Sequence, residues 1–213
     1  MNDLFADPAA FLQRLVLQLP ALLIAVTVHE LAHALVADRL GDATARSLGR
    51  LTLNPLPHID PLGALAFIFA GFGWAKPVPV NARNFRNPVR DMTWVAAAGP
   101  MANFLAAFAA LVLILVLRSA GLVPEAALRA LSYIYTFNLV LGIFNLIPLP
   151  PLDGGHFLRY LLPRSSGGAL LAFERYGMLI LLILVFTGVI QRVLGPVFLW
   201  ASRLMLSVAR LIV

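Results

Sequence analysis

The stretch Val26-Thr-Val-His29-Glu30-Leu-Ala-His33-Ala-Leu35 decides the fold, because it places an H-E-x-x-H signature inside a run of apolar residues. On a helix, residues i and i+4 lie one turn apart on the same face. His29 and His33 can therefore bind one metal ion together, with Glu30 beside them as a general base. One arginine is the only other ionisable residue between positions 11 and 37. The helix therefore lacks the solvated face of a soluble enzyme.

The composition of the 213 residues is that of an integral membrane protein. The chain is 61% hydrophobic and 12% charged, with a mean hydropathy of +0.88, whereas soluble domains carry about 25% charged residues. The net charge of +6 comes from 15 arginines and one lysine, clustered in loops. Basic loops of this kind indicate membrane orientation and contact with anionic lipid, not with nucleic acid. The absence of cysteine excludes disulfides and thiolate zinc sites.

Five apolar runs predict membrane-spanning helices, since about 20 apolar residues cross a bilayer. They are residues 11–37, 92–117, 128–147, 169–187 and 195–213. The shorter, glycine-rich run 62–74 leads into a proline-rich stretch. We predict that 62–81 is a re-entrant or extended segment, with a small β-hairpin as the alternative.

The predicted fold is an all-α, polytopic transmembrane helix bundle. We expect one integral-membrane domain over 1–213, since this length suits a single bundle. Its catalytic core would cover about 11–162, and accessory carboxy-terminal helices would cover about 169–213.

Loop charge predicts the orientation of this bundle. If 62–74 does not cross the membrane, the loops after the first and third spans lie on one side. The loop 38–91 carries seven lysine and arginine residues, and the loop 118–129 carries two. The positive-inside rule then places 38–91 in the cytoplasm and the amino terminus outside. With this number of crossings, the histidines and the proline-rich end of the third span lie on the same side of the membrane.

A catalytic zinc needs a third protein ligand, for which the sequence offers few residues. The candidates are His58, Asp60, Asp91, Glu125, Asp153, His156 and Glu174. Asp153 stands out because prolines precede it and two glycines follow it, and broken backbone at membrane depth is tolerated only where it is buried or lines a cavity. An N-cap role for Asp153, on a short helix through His156 to Leu162, is the alternative. The alternative for the H-E-x-x-H motif, two core histidines beside an unrelated glutamate, is costly inside a membrane span.

Several motifs resemble those of the site-2 protease family of intramembrane zinc metalloproteases. His29-Glu30-Leu-Ala-His33 and Asn145-Leu-Ile-Pro-Leu-Pro-Pro-Leu-Asp153-Gly-Gly look like the paired metal signature of that family. Gly99-Pro-Met-Ala-Asn103 is similar to its small-residue motif. The tract from Asn54 to Gly63 resembles compact bacterial and archaeal members. The resemblance covers most of residues 20–160, and we expect a compact prokaryotic member without a PDZ or CBS domain.

The resemblance implies a role for each motif residue. His29, His33 and Asp153 would be the ligands of one Zn²⁺ per chain, and Glu30 the catalytic acid/base. Asn145 would help to stabilise the tetrahedral intermediate, with an interhelical hydrogen bond as the alternative.

The resemblance also implies a substrate class and a location. The substrates would be single-pass membrane proteins or signal-peptide remnants, hydrolysed within or near their transmembrane segments. The enzyme would lie in the lipid bilayer of a prokaryotic inner or plasma membrane, with its active site toward the cytoplasm.

Other residues and functions have competing interpretations. Trp74 to Asn81 is a candidate strand for binding an extended substrate by β-augmentation, or a plain surface hairpin. We expect structural roles for His58 and His156, although His58 could approach the metal in a closed state. The rival functions are a metal-binding membrane protein without hydrolytic activity, such as a transporter, and a zinc enzyme acting on a lipid. The sequence indicates no oligomeric state.

Overall fold

The structure, a computed structural model, describes residues 7–70, 73–121, 123–161 and 167–213. These residues contain eight α-helices. They are α1 (Pro8–Arg39), α2 (Thr44–Ser47), α3 (Pro61–Ala70), α4 (Pro88–Ala120), α5 (Glu125–Asn145), α6 (Gly154–Leu161), α7 (Gly167–Phe186) and α8 (Val189–Ala209). Short 3-10 turns occupy Leu56–His58 and Ala82–Asn84. The described residues form no strand, so the all-α prediction is confirmed. Residues 71–72 of the predicted re-entrant segment and residue 162 at the predicted core boundary lie outside the described residues.

Four of the described helices, α1, α4, α5 and α8, are long and apolar enough to cross a membrane. They contain or overlap the predicted spans 11–37, 92–117, 128–147 and 195–213. The predicted span 169–187 overlaps α7, which is not one of these four helices, so the fifth span stays a prediction. The outward faces carry exposed apolar side chains such as Leu12 and Leu105, as expected of a surface that lipid covers.

The ends of the two longest helices follow local capping rules. The side chain of Asp7 accepts a hydrogen bond from the Ala10 amide at 3.0 Å, and a proline occupies the first turn of α1. Asn87 caps α4 in the same way, again before a proline. A proline there loses no hydrogen bond, because the first amides of a helix have no partner within it. Gly121 ends α4 with a φ of 67°, a conformation that glycine adopts without strain.

Small residues form the interface between α1, α4 and α5. Their buried positions include Ala21, Ala25, Ala34 and Ala37 on α1 and Ala96, Gly99, Ala107 and Ala110 on α4. Small side chains let membrane helices approach closely where no hydrophobic effect drives them together. The carboxy-terminal helices close around this unit: Leu194 and Phe198 of α8 pack on Leu139, and Leu181 of α7 packs on the loop after α5.

The segment between α2 and α4 returns to the side from which it leaves. α3 has ten residues, about 15 Å, and cannot cross the bilayer. Ile59 and Ala75 meet in an isolated antiparallel bridge. A β-carbon at Gly63 would overlap the Trp74 backbone, so glycine permits the close return. The β-hairpin alternative is wrong, because this bridge is the only β-pairing among the described residues and the prolines that follow cannot donate to a ladder.

Candidate metal centre

Three ligand atoms predicted from the sequence lie together at one end of α1. The Nε2 atoms of His29 and His33 are 3.0 Å apart. Asp153 Oδ2 lies 3.1 Å from the first and 3.3 Å from the second. Because α3 does not cross the membrane, the end of α5 reaches the same side as the end of α1. Asp153 therefore lies beside the histidines, as expected if the first and third spans end on the same side of the membrane.

Hydrogen bonds from the outer nitrogen of each imidazole fix which nitrogen is left for a metal. His29 Nδ1 lies 2.6 Å from Asn103 Oδ1, and His33 Nδ1 lies 2.7 Å from the Val95 carbonyl. The amide nitrogen of Asn103 donates to the carbonyl of Ala25 and to Asn138 Oδ1, both at 2.9 Å, so its oxygen must face His29. Both Nδ1 atoms therefore carry the proton, and both Nε2 atoms present lone pairs.

This arrangement fits a zinc ion. Three lone-pair atoms face one another, and Asp153 Oδ2 accepts no hydrogen bond from any described donor. Such a cluster is repulsive unless a cation, either a metal ion or a proton on one imidazole, lies among the three atoms. Ligands about 2.0–2.1 Å from zinc in a tetrahedron are about 3.3 Å apart, which matches the three separations.

The backbone of α4 and the turn before α6 allow the three candidate ligands to lie close together. A β-carbon at Gly99 of α4 would lie 2.5 Å from His33 Nε2 and 2.6 Å from His29 Cε1, so only glycine leaves room for the imidazoles. Asp153 occupies the residue before α6, which is the N-cap position. Its Oδ2 nevertheless points at the histidines. The turn before it includes a cis Pro150–Pro151 bond.

Glu30 contacts an extended segment, 75–81, which we call the strap. Glu30 Oε2 accepts a hydrogen bond from the Val78 amide at 2.7 Å, and both residues are buried. The Lys76 amide donates to the His58 carbonyl at 3.0 Å. The Lys76 carbonyl accepts from Arg50 at 2.7 Å.

These bonds leave the strap no continuous edge to offer a substrate. A strand presents alternate residues to each of its two edges. On one edge Lys76 and Val78 are already bound, and on the other Pro77 and Pro79 have no amide. The prediction that Trp74 to Asn81 binds an extended substrate is therefore at odds with its contacts in this structure.

Asp42 fixes the far end of the strap. Its carboxylate is fully buried and accepts hydrogen bonds from the Asn81 amide and from the Asn84 side chain, each at 2.7 Å, and from Thr44. Burial raises the pKa of Asp42, but these bonds favour the ionised form, and the net pKa lies below the usual aspartate value.

Three other predicted residues lie outside the ligand cluster. The Asn145 side chain donates back to the Leu141 carbonyl of its own helix at 3.0 Å, so the predicted interhelical alternative is not formed. His58 is fully buried, with Nε2 3.1 Å from the Thr52 carbonyl. His156 lies on α6, where burial lowers its pKa against the raising effect of Asp153. His58 Nδ1 has no hydrogen-bond partner among the described residues, and the structural roles of His58 and His156 stay predictions.

The residues that support the candidate ligands were not predicted from the sequence. Asn103 ends the Gly99-Pro-Met-Ala-Asn103 motif, but the sequence did not indicate its hydrogen bond with His29. An amide inside an apolar helix is a signal for buried hydrogen bonding, and both Asn103 and Asn138 carried it. The Val78 amide and the Val95 carbonyl are backbone groups, so no residue type marked them.

Comparison with known proteins agrees with this geometry. The model of Peptidase family M50 matches residues 18–128 and 118–188. The chain belongs to peptidase family M50. "Putative zinc metalloprotease YwhC" of Bacillus subtilis (strain 168) is 42% identical over 180 residues, which is 82% of each chain.

Two more distant relatives are also named as zinc metalloproteases. "Putative zinc metalloprotease Rip2" of Mycolicibacterium smegmatis is 29% identical over 87% of this chain and 72% of its own length. "Zinc metalloprotease MJ0392" of Methanocaldococcus jannaschii is 27% identical over 68% of this chain and 34% of its own length. No solved structure matches the chain.

The resemblance to site-2 proteases is thereby confirmed. The chain is an integral membrane protein and a zinc metalloprotease of the M50 family. The described residues bring His29, His33 and Asp153 together as a candidate site for the zinc ion.

Proposed function

We propose that this M50 chain is an intramembrane protease that hydrolyses peptide bonds within or near the transmembrane segments of membrane proteins. One observation carries the proposal: His29 and His33 on one membrane-spanning helix lie beside Asp153, in the turn that follows another. The helices of this chain also expose apolar side chains. A hydrolytic site built into such helices meets substrates that are themselves in the bilayer.

The three side chains would hold the zinc ion through the two Nε2 atoms and Oδ2. The chemistry that zinc supplies in such a site is Lewis-acid polarisation of the scissile carbonyl and acidification of water. Asn103 and the Val95 carbonyl keep both imidazoles in the tautomer that binds a metal.

Glu30 would move the proton. Hydrolysis adds water across the scissile C–N bond: the oxygen goes to the carbonyl carbon, and the nitrogen leaves with a proton. Glu30 accepts that proton from the water and returns it to the leaving amine. Glu30 Oε2 is bound to the Val78 amide, so the proton is exchanged at Oε1, which has no hydrogen-bond partner among the described residues.

Asn145 would stabilise the oxyanion. Its amide group can turn from the Leu141 carbonyl toward a substrate, since that bond lies within one helix and holds nothing else in place. Loss of one such donor typically lowers kcat about 10²- to 10³-fold.

The substrates would be single-pass membrane proteins or remnants of signal peptides, as in regulated intramembrane proteolysis. We place the enzyme in a prokaryotic inner membrane, with the site on the cytoplasmic side. The charge of the loops supports that orientation, with seven basic residues in 38–91 and two in 118–129.

The test is cleavage of a model transmembrane substrate by purified protein in liposomes. Glu30→Gln keeps a hydrogen-bond acceptor for Val78 but removes the base, and we expect it to lose activity while retaining zinc. Asp153→Ala should lose zinc. Equal cleavage by wild type and Glu30→Gln would refute the proposed function, and normal zinc content in Asp153→Ala would remove that residue from the ligand set.

A further inference from the structure

The stretch Pro77-Val78-Pro79 offers one amide, and that amide is bound to the catalytic centre. Proline has no N–H and fixes its own φ near −65°. Val78 alone can donate from these three residues, and it donates to Glu30 Oε2 at 2.7 Å. The Val78 side chain is buried against Ala34 and Ala45. The strap therefore has a fixed backbone that presents a single donor to Glu30.

Arg50 holds the strap at Lys76, two residues before the Val78 amide. Its guanidinium donates to the Lys76 carbonyl at 2.7 Å, and the residue is only 7% exposed. The Lys76 amide is bound in turn to the His58 carbonyl. Both backbone groups of Lys76, two residues before Val78, are therefore fixed by the loop 50–58.

Burying the charged Arg50 side chain costs more free energy than one hydrogen bond to a backbone carbonyl is expected to return. No carboxylate lies within ion-pair distance of it among the described residues, and its Nε has no hydrogen-bond partner there. Buried arginines are rare unless they are paired. The one side-chain hydrogen bond that Arg50 makes in the described part of the molecule is to the strap.

We propose that Arg50 is a positioning residue for peptide hydrolysis: through the Lys76 carbonyl it holds the strap so that the Val78 amide fixes the Glu30 carboxylate. The proposal rests on the proposed function of Glu30 as the acid/base. A misplacement of about 1 Å in a reacting group can cost about 10²-fold in rate. The strap sets the position of the proton acceptor, whereas α4 holds the two imidazoles through Asn103 and Val95.

Kinetics of matched variants test the role of Arg50. Arg50→Met keeps the length of the side chain but removes the donor, and we expect kcat to fall by about 10- to 100-fold with an unchanged KM and full zinc content. Arg50→Lys keeps one donor for the carbonyl and should recover most of kcat. Arg83→Met removes an exposed arginine beside the strap and serves as the control that keeps wild-type activity.

Hydrogen exchange at Val78 gives a readout that does not depend on turnover. Because Pro77 and Pro79 carry no amide, exchange in this tripeptide reports Val78 alone. We expect slow exchange in the wild type and in Glu30→Gln, and fast exchange in Glu30→Ala and Arg50→Met, with α4 amides unchanged in all four. Fast exchange in the wild type would overturn the proposal even if the Arg50 variants failed to fold.

The outcomes separate this proposal from the proposed function. Full kcat in Arg50→Met, or no recovery in Arg50→Lys, would overturn the positioning role while an inactive Glu30→Gln upheld the protease. Loss of zinc in Arg50→Met would also overturn it, because Arg50 would then act on the ligands. An active Glu30→Gln would refute the proposed function and the positioning role together.

Discussion

At the scale of single residues, the site depends on which nitrogen of each histidine carries a proton. Asn103 and the Val95 carbonyl each accept from Nδ1, which leaves Nε2 of both rings for the metal. Outer partners of this kind typically change metal affinity about 10- to 100-fold. Asn103 also binds α1 and α5 through its amide nitrogen, so one side chain serves both ligand orientation and helix packing.

We predict that Asn103→Leu lowers zinc affinity by about 10- to 100-fold, because His29 loses its outer acceptor. Asn138→Leu is the matched control: it breaks the same interhelical bond but leaves the acceptor for His29 in place. Competition with a chromophoric chelator measures both affinities. Equal zinc affinity in the two variants would mean that Asn103 acts only in packing.

Gly99 gives a steric prediction at the same scale. Gly99→Ala would place a β-carbon 2.5 Å from His33 Nε2, and we expect loss of both zinc and activity. Gly142→Ala is a useful comparison, since its β-carbon would meet the movable Phe104 ring at 2.9 Å, away from the ligands. That variant should lose stability but keep its zinc. Normal zinc content in Gly99→Ala would contradict the close packing of α4 on the imidazoles.

At the scale of elements, the strap is a loop held by side chains rather than by a sheet. Arg50 and the His58 carbonyl bind its first half, Glu30 its middle and Asp42 its end. These bonds end on the loop 50–58, on α1 and on the loop between α1 and α2. Asp42 is the anchor at the end of the strap nearest α4.

Asp42 makes the stability of this region depend on acid. Its folded pKa lies below the unfolded value of about 3.9. Its contribution is therefore complete above that value and is lost as the pH falls through the folded pKa. We predict that Asp42→Asn lowers the thermal midpoint at pH 7 and weakens its dependence on acid below about pH 4, as measured in detergent. An unchanged midpoint at pH 7 would show that the carboxylate does not anchor the strap.

At the scale of the whole molecule, the proposed metal site links the first span to the turn after the third. His29 and His33 lie on α1, and Asp153 lies beyond α5. A ligand that binds only the folded state stabilises it by about 4 kcal/mol at 1,000 times its dissociation constant. We predict that a zinc chelator lowers the thermal midpoint of the wild type and leaves that of Asp153→Ala unchanged. Equal shifts in both proteins would show that the metal does not bridge these elements.

The membrane architecture could be predicted because hydropathy encodes it directly, and the three candidate ligands could be chosen because motif spacing and the family resemblance single them out. His29 and His33 are one helical turn apart, and Asp153 follows a run of prolines that cannot continue a helix. The support of Glu30 could not be predicted in this way. Its partner is the backbone amide of Val78, and any residue except proline would supply that group. Arg50 likewise looked like one of several basic loop residues until its burial was seen.

The order of the elements along the chain has a consequence for biosynthesis. The two histidines enter the membrane with the first span, but Asp153 follows the whole of α4 and α5. Chains are made from the amino terminus, and their early parts can adopt structure before the rest emerges. With the proposed ligand set, a ribosome-bound chain that ends before Asp153 has the H-E-x-x-H helix but only two of the three ligands. We therefore expect the nascent chain to gain activity only once its third span and the following turn are in place, so that a prematurely terminated chain leaves no unregulated hydrolase in the membrane.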